Sequence, residues 1–253
     1  MAVAEGSKYS IGDAVYALSD TYVPYSKYEG TYAEYVLLKE EWIAKAPSSI
    51  SLKHAAGVPL VFLTALQALE KATPSNGQRI LVLGASGAVG QFGVQLAKLL
   101  YNLHVTAVSS PSNFELVKNL GADEIWDYAG GASGLETDFA NNKFDIVFDV
   151  IGGDLLDASS KVLVDGGIIT HILNRGTNGA DATYKANYDA GTGPRFETTL
   201  VKPSGESLKT ASEFFDAGKL SIKIAKEFPL EQAGQAHDLV IDGHAGGKLL
   251  LII

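Results

Sequence analysis

The chain has no cysteine among its 253 residues. Disulfides, thiolate nucleophiles and cysteine-ligated zinc are excluded together. The absence suits a reducing compartment, and with no signal-peptide pattern at the N-terminus the expected location is cytoplasmic, with an organelle as the alternative. Basic runs are also missing. Lys and Arg number 20 against 29 Asp and Glu, a net charge of −9, so no nucleic acid partner is expected. No apolar run approaches the ~20 residues of a membrane span, and none is expected. There is no internal repeat and no low-complexity segment. What remains is core material, 46% hydrophobic against 19% charged, enough for one large domain or two modest ones.

The most informative stretch runs from Arg79 to Tyr101. Arg79-Ile80-Leu81-Val82-Leu83 is an apolar run of strand length. Gly84-Ala85-Ser86-Gly87-Ala88-Val89-Gly90 is a glycine turn. Val89, Phe92, Leu96, Leu99 and Leu100 then recur at helical spacing. Strand, glycine turn and helix are the context a dinucleotide fingerprint requires. Glycine lets the backbone approach a pyrophosphate, and the free N–H groups and dipole of the helix start favour its charge. A glycine turn also serves close strand–helix packing alone, so the motif carries two readings.

Around this unit the pattern alternates. Strands are expected at 14–17 and 31–38, with a tyrosine-rich loop between them, and a helix over 54–71 interrupted at Pro59. Thr64 lies inside that helix, either bonded to its own backbone or facing a cofactor. After the fingerprint come a strand at 104–109, a helix at 113–120 closed by Gly121, a short strand at 125–126 and an irregular loop over 128–142. A strand at 144–150, a helix at 154–164, a strand at 167–172 and a long loop at 174–195 follow. The C-terminal part suggests a strand at 196–201, a helix at 207–217, a strand at 220–225, a helix at 230–241 and a strand at 248–253. Strands alternating with helices imply an α/β fold with a doubly wound parallel Rossmann sheet.

The second strand ends Val108-Ser109-Ser110-Pro111-Ser112-Asn113, with no carboxylate before Glu115. A carboxylate there would hold the ribose hydroxyls of NAD and repel a 2′-phosphate, so its absence favours NADPH. Ser112 and Asn113 equally suit a helix cap. Lys118 or Lys248 could supply phosphate charge, and Tyr128 could border the adenine ribose.

Further motifs carry a family resemblance: Gly12-Asp13-Ala14-Val15-Tyr16, Gly30-Thr31-Tyr32-Ala33-Glu34-Tyr35, His54-Ala55-Ala56-Gly57-Val58-Pro59-Leu60 and Leu63-Thr64-Ala65. Gln95-Leu96-Ala97-Lys98, Leu120-Gly121-Ala122-Asp123, Ala217-Gly218-Lys219-Leu220 and Gly246-Gly247-Lys248 continue the series. In collinear order these resemble the quinone oxidoreductase branch of the medium-chain dehydrogenase/reductase superfamily, and most of all plant-type enone and chloroplast-envelope quinone oxidoreductases. The resemblance implies a GroES-like β-rich catalytic domain from residues 1–55 and 219–253, with a Rossmann domain at 56–218 between them. It also implies zinc-independent hydride transfer from NADPH to a quinone or to the C=C bond of an α,β-unsaturated carbonyl. By position, Ser86, Gly87, Ala88 and Val89 would hold the pyrophosphate, and Ser109, Ser110 and Tyr128 the adenosine phosphate. Thr64, Ile151, Ile172 and Leu173 would line the nicotinamide, and Gly247 and Lys248 would close the site. Asn113 is added from its place beside Ser110. Family members carry several strands before the segment that begins here at Val3, so the catalytic domain is expected to be N-terminally incomplete.

Tyr22, Tyr25 and Tyr28 are the candidate oxyanion donors, though tyrosines there also serve as packing residues with a wet hydroxyl. The five histidines are scattered, which gives a zinc dehydrogenase site little material. His171 ends a buried strand and reads as a core histidine or a proton donor. A homodimer is expected from edge-strand pairing. The alternative reading is a catalytically impaired or non-enzymatic protein that retains NADPH binding for sensing or for a partner.

Overall fold

Val15–Ala17 (β1) and Ile43–Lys45 (β2) form a short antiparallel pair that sets Tyr16 opposite Ala44, both buried. In this computed structural model, residues 3–19, 30–172, 180–243 and 245–253 are described. Residues 31–38 do not form the expected strand. Tyr35 and Leu37 stay 76% and 79% exposed. Strand propensity acts through a partner's backbone and side chains, and no described strand pairs with this segment.

Ser51 caps α1 (Leu52–Ala55) by accepting the His54 N–H. The next helix, α2 (Val58–Ala72), starts after Ala56-Gly57. Pro59 therefore does not interrupt a helix. It stands in the first turn, where its missing N–H is no loss. One correction concerns apolar length. Leu52–Ala72 is long and apolar enough to pass as a membrane span by composition. However, 67% of its most apolar window is buried inside the protein, as in a core helix.

Strands and helices then alternate: β3 (Arg79–Leu83), α3 (Ala88–Tyr101), β4 (His104–Ser109), α4 (Phe114–Asn119), β5 (Glu124–Asp127), α5 (Gly131–Asp138), β6 (Phe144–Asp149), α6 (Gly153–Lys161), β7 (Leu163–His171), α7 (Ala180–Asp189) and β8 (Arg195–Thr198). They build one sheet in the order β5-β4-β3-β6-β7-β8. Every neighbouring pair is parallel. The order reverses between β3 and β6, which is the switch point where doubly wound sheets open a crevice at their C-terminal edge. Ile80, Leu81, Val82 and Leu83 are all fully buried, as strands covered on both faces are.

Two expected loops hold helices. Residues 128–142 contain a 3-10 turn at Tyr128–Gly130 and then α5, whose single buried residue is Leu135. Residues 174–195 contain α7, whose Tyr184 stacks on Phe196 at 4.8 Å and 8°. Neither helix has the repeated apolar positions that make a helix visible in sequence.

The C-terminal part comprises α8 (Gly205–Asp216), β9 (Ile224–Pro229), α9 (Ala233–Ile241) and β10 (Lys248–Ile252). β9 and β10 pair in parallel, so the strand expected at 220–225 falls a few residues later. The chain divides into two compact units, residues 1–63 with 201–253, and residues 64–200. Within the first, the Tyr16 hydroxyl donates to the Leu208 carbonyl (2.6 Å), and the Ser212 hydroxyl donates to the Lys45 carbonyl (2.7 Å). Burial, offset by the Ser212 contact, pushes the Tyr16 phenol up to about 12.

At the N-terminal edge of the six-stranded sheet, charges tie the strands together. Asp123 accepts the Val105 N–H at 2.7 Å and pairs with Lys98 at 2.9 Å. Glu124 meets Arg79 at 3.2 Å, His104 at 3.1 Å and Thr106 at 3.0 Å. Partial burial raises both carboxyls, but these donors outweigh it and hold each below its ordinary value of 3.8 or 4.5. A lowered folded pKa adds stability that is complete above the unfolded pKa and is lost as pH falls through the folded one. Urea midpoints should therefore fall steeply as pH drops below 4.5. Lys98→Met should flatten part of that fall. An unchanged slope would remove Lys98 from the account.

Candidate nucleotide-binding site

β3 delivers the chain into Gly84, which adopts φ +75°. A Cβ at Gly84 would lie 2.7 Å from the side chains of Val150 and Ile151. At Gly90 a Cβ would lie 2.1 Å from the Gly84 carbonyl oxygen, and at Gly93 it would lie 2.3 Å from the Phe148 ring. Gly90 and Gly93 bring α3 close to its strands, and Gly84 leaves room for the side chains that follow β6. Gly87 differs. It is exposed, its φ is −71°, and its nearest contact would be the Gly84 oxygen at 3.3 Å. Apart from that one oxygen nothing is met within 4 Å, so Gly87 leaves room at the helix mouth.

The turn is held from behind. The Ala85 N–H donates to the Val108 carbonyl (3.1 Å), and the Gly87 N–H donates to the Gly84 carbonyl (3.0 Å). Buried Gln91 donates its side-chain amide to the Ser86 carbonyl (2.8 Å). Gln91 escapes a motif reading because one polar residue on a helix carries no signal. The backbone N–H groups of Ala88, Val89 and Gly90 meet no acceptor among the described residues, as expected of a first helical turn. Three free donors over an open glycine suit a diphosphate.

Beside this turn, at the C-terminal end of β4, Ser109 is buried. The Ser110 hydroxyl lies 3.0 Å from that of Ser112 and accepts the Asn113 side-chain amide at 3.1 Å. Asn113 makes no side-chain cap bond to α4, and Ser112 lies inside the 3-10 turn Pro111–Asn113 with its hydroxyl turned to Ser110. The capping role is therefore not realised, and these polar groups cluster with one another. β5 leads to Tyr128, half exposed.

On the other side of the switch point, β6 ends in Asp149, which the sequence pattern does not single out. Its carboxylate accepts the N–H of Ile151 (3.1 Å) and of Gly152 (3.0 Å) and lies 2.6 Å from Nδ1 of His171. Asp149 and His171 face each other in register and are both completely buried. His171 is a core histidine, packed against Phe196 with ring centroids 5.9 Å apart. Ile151 is 49% exposed, and the Ile172 N–H donates to the Asp149 carbonyl at 3.3 Å.

The 64–200 unit therefore collects Ser86–Val89, Ser109, Ser110, Asn113, Tyr128, Ile151 and Ile172 at one edge of its sheet. Thr64 is buried within α2. Gly247 and Lys248 belong to the other unit. A Cβ at Gly247 would lie 2.7 Å from the Lys223 carbonyl. The Lys248 stem runs 3.2 Å from where a Cβ of Gly57 would stand, and burial pushes the Lys248 amine down. Tyr22, Tyr25, Tyr28, Leu173 and His244 lie outside the described residues. Among those described, no group of three or more His, Asp or Glu is gathered for a metal ion.

The zinc-binding dehydrogenase family model matches residues 120–251. The chloroplast envelope quinone oxidoreductase homolog of Arabidopsis thaliana is 34% identical over 230 residues, covering 88% of this chain and 68% of that protein. The chain belongs to the quinone oxidoreductase branch of the medium-chain dehydrogenase/reductase superfamily. Other medium-chain relatives include NAD(P)H oxidoreductase RTN4IP1, mitochondrial, of Bos taurus, 33% identical over 262 residues, with coverage of 95% of this chain and 64% of that one. The chloroplastic NADPH-dependent alkenal/one oxidoreductase of Arabidopsis thaliana is 32% identical over 244 residues, with coverage of 95% and 58%. The structure of the quinone oxidoreductase from Coxiella burnetii superposes with a TM-score of 0.74 at 28% identity, over 83% of this chain and 64% of that one. The chain thus spans about two thirds or less of the length of its first relatives. It is a member of an oxidoreductase family that uses a nicotinamide cofactor.

Proposed function

We propose that this protein binds NADPH at the C-terminal edge of the six-stranded sheet and reduces a quinone, or the C=C bond of an α,β-unsaturated carbonyl, without a metal. The observation that carries the reading is the open Gly87 beneath the unpaired N–H groups of Ala88, Val89 and Gly90. Ser86 and those amides would hold the diphosphate. Ser109, Ser110, Asn113 and Tyr128 would take the adenosine end. The hydroxyls and amide after β4 can donate to a 2′-phosphate, and no carboxylate stands between that strand and Glu115 to repel it. When bound, the reduced nicotinamide supplies the hydride, and the organic step is its own.

The chain's contribution is then position and shelter. Ile151 and Ile172 would offer apolar contact on the β6–β7 side. Thr64, Leu173, Gly247 and Lys248 complete the set by family position, and the same proposal assigns residues 1–55 and 219–253 to a GroES-like domain around a Rossmann domain at 56–218. Independence from zinc is supported by the lack of cysteine. The same lack suits a reducing compartment, cytoplasm or organelle.

The test is a titration of NADPH against NADH, followed by turnover with small quinones and alkenals. NADPH should bind at least about tenfold more tightly, and at least one acceptor class should be reduced. Preference for NADH would overturn the 2′-phosphate assignment. Tight NADPH binding without turnover would support the sensor reading instead. The proposal includes a homodimer through the edge strand β8, the last of the sheet. Light scattering should give twice the 26.7 kDa of one chain, and the monomer mass would remove it.

A further inference from the structure

We infer that the buried Asp149–His171 pair positions the nicotinamide half of the nucleotide, acting through the turn that follows β6. The inference rests on the nucleotide reading above. His171 lies 2.6 Å from the Asp149 carboxylate, and that carboxylate also receives the N–H groups of Ile151 and Gly152. All the donors converge on one completely buried group. In such a place an unpaired lone pair is costly, so the carboxylate fixes the turn firmly. Gly152 takes φ +78°, and Cε1 of His171 lies 3.9 Å from where its Cβ would be.

What the turn carries is Ile151. Its side chain stands 2.7 Å from the position of a Cβ on Gly84, the first fingerprint glycine, and is half exposed. Its side of the sheet decides which half of the nucleotide it meets. The sheet order reverses between β3 and β6. A dinucleotide laid across that point has its adenosine over β4 and β5 and its other half over β6 and β7. Ile151 lies on the second side. Neither Asp149 nor His171 is accessible to a ligand, so both are positioning residues.

Such a role predicts a selective loss. His171→Leu removes the ring donor, and His171→Asn retains a side-chain N–H near the place of Nδ1. Calorimetric titration of the full chain with NADPH, and separately with 2′,5′-ADP, distinguishes the two halves. His171→Leu should weaken NADPH about tenfold and leave 2′,5′-ADP within about twofold. His171→Asn should recover most of the loss. Ile151→Ala, a surface change, should reproduce the selective loss without touching the buried pair. Combined with His171→Leu, it should add little.

Equal weakening of both ligands by His171→Leu would overturn the inference, and so would an Ile151→Ala chain that binds NADPH like the parent. A parent that binds neither ligand would defeat the nucleotide reading itself. Amide exchange in the ligand-free chain then still tests the support. The Ile151 and Gly152 amides should be protected in the parent and in His171→Asn and exposed to exchange in His171→Leu. Fast exchange in the parent would remove the support as well.

Discussion

Gly90→Ala should strongly destabilise the 64–200 unit, whereas Gly87→Ala should leave it folded and unable to hold the nucleotide. The new methyl at Gly90 would sit 2.1 Å from the Gly84 oxygen and 2.9 Å from Cα of Ala85. All of these are backbone atoms, so no rotamer change relieves the clash. The helix must move off the strand, against a core in which Val94, Leu96 and Ala97 of α3 are fully buried. Overpacking of this kind costs about 3 kcal/mol or more. Gly87 keeps a negative φ and meets one oxygen at 3.3 Å, so alanine fits with a small adjustment. Its methyl would then occupy the space where a diphosphate approaches the amides. Thermal melts of the two variants, with NADPH titration of Gly87→Ala, check both halves. A Gly87→Ala chain that binds NADPH with parental affinity would show that the open space is not the diphosphate cradle.

The second large effect belongs to Asp149→Ala. Truncation leaves the His171 ring and the N–H groups of Ile151 and Gly152 without their acceptor, in a place with no exposure to water. Breaking a buried pair from one side costs about 3–5 kcal/mol. The loss should appear as a lower urea midpoint at neutral pH. Removing both polar partners together, in Asp149→Ala with His171→Leu, should cost less than the sum of the single changes, because the second substitution removes a donor already orphaned by the first. Full additivity would mean that the two side chains contribute independently.

Much of the α/β unit can be read directly from the residues. β4 begins and ends where its apolar run does, at His104 and Ser109, since a strand buried on both faces tolerates little else. The glycine turn is legible because two of its glycines are required by packing and one by open space. Residues 31–38 mislead because aromatic and branched residues report a preference that only a neighbouring strand can realise. The helix α7 is hidden because, among its described side chains, the ring contact is made by one aromatic, Tyr184, on a strand that follows it. Asp149 is hard to read from the sequence for a different reason. A single carboxylate at a strand end has no period and no spacing, and its importance arises from a histidine 22 positions away that the sheet places opposite it.

The division of the chain also bears on how it assembles. Residues 64–200 are contiguous and can close their sheet as soon as they are synthesised, while the unit that holds Tyr16 draws its Leu208 partner from 192 residues downstream. The Tyr16 hydroxyl therefore waits for the Leu208 carbonyl until the whole inserted sheet has been made. Contacts of such long sequence separation form late, and the delay favours association with other chains.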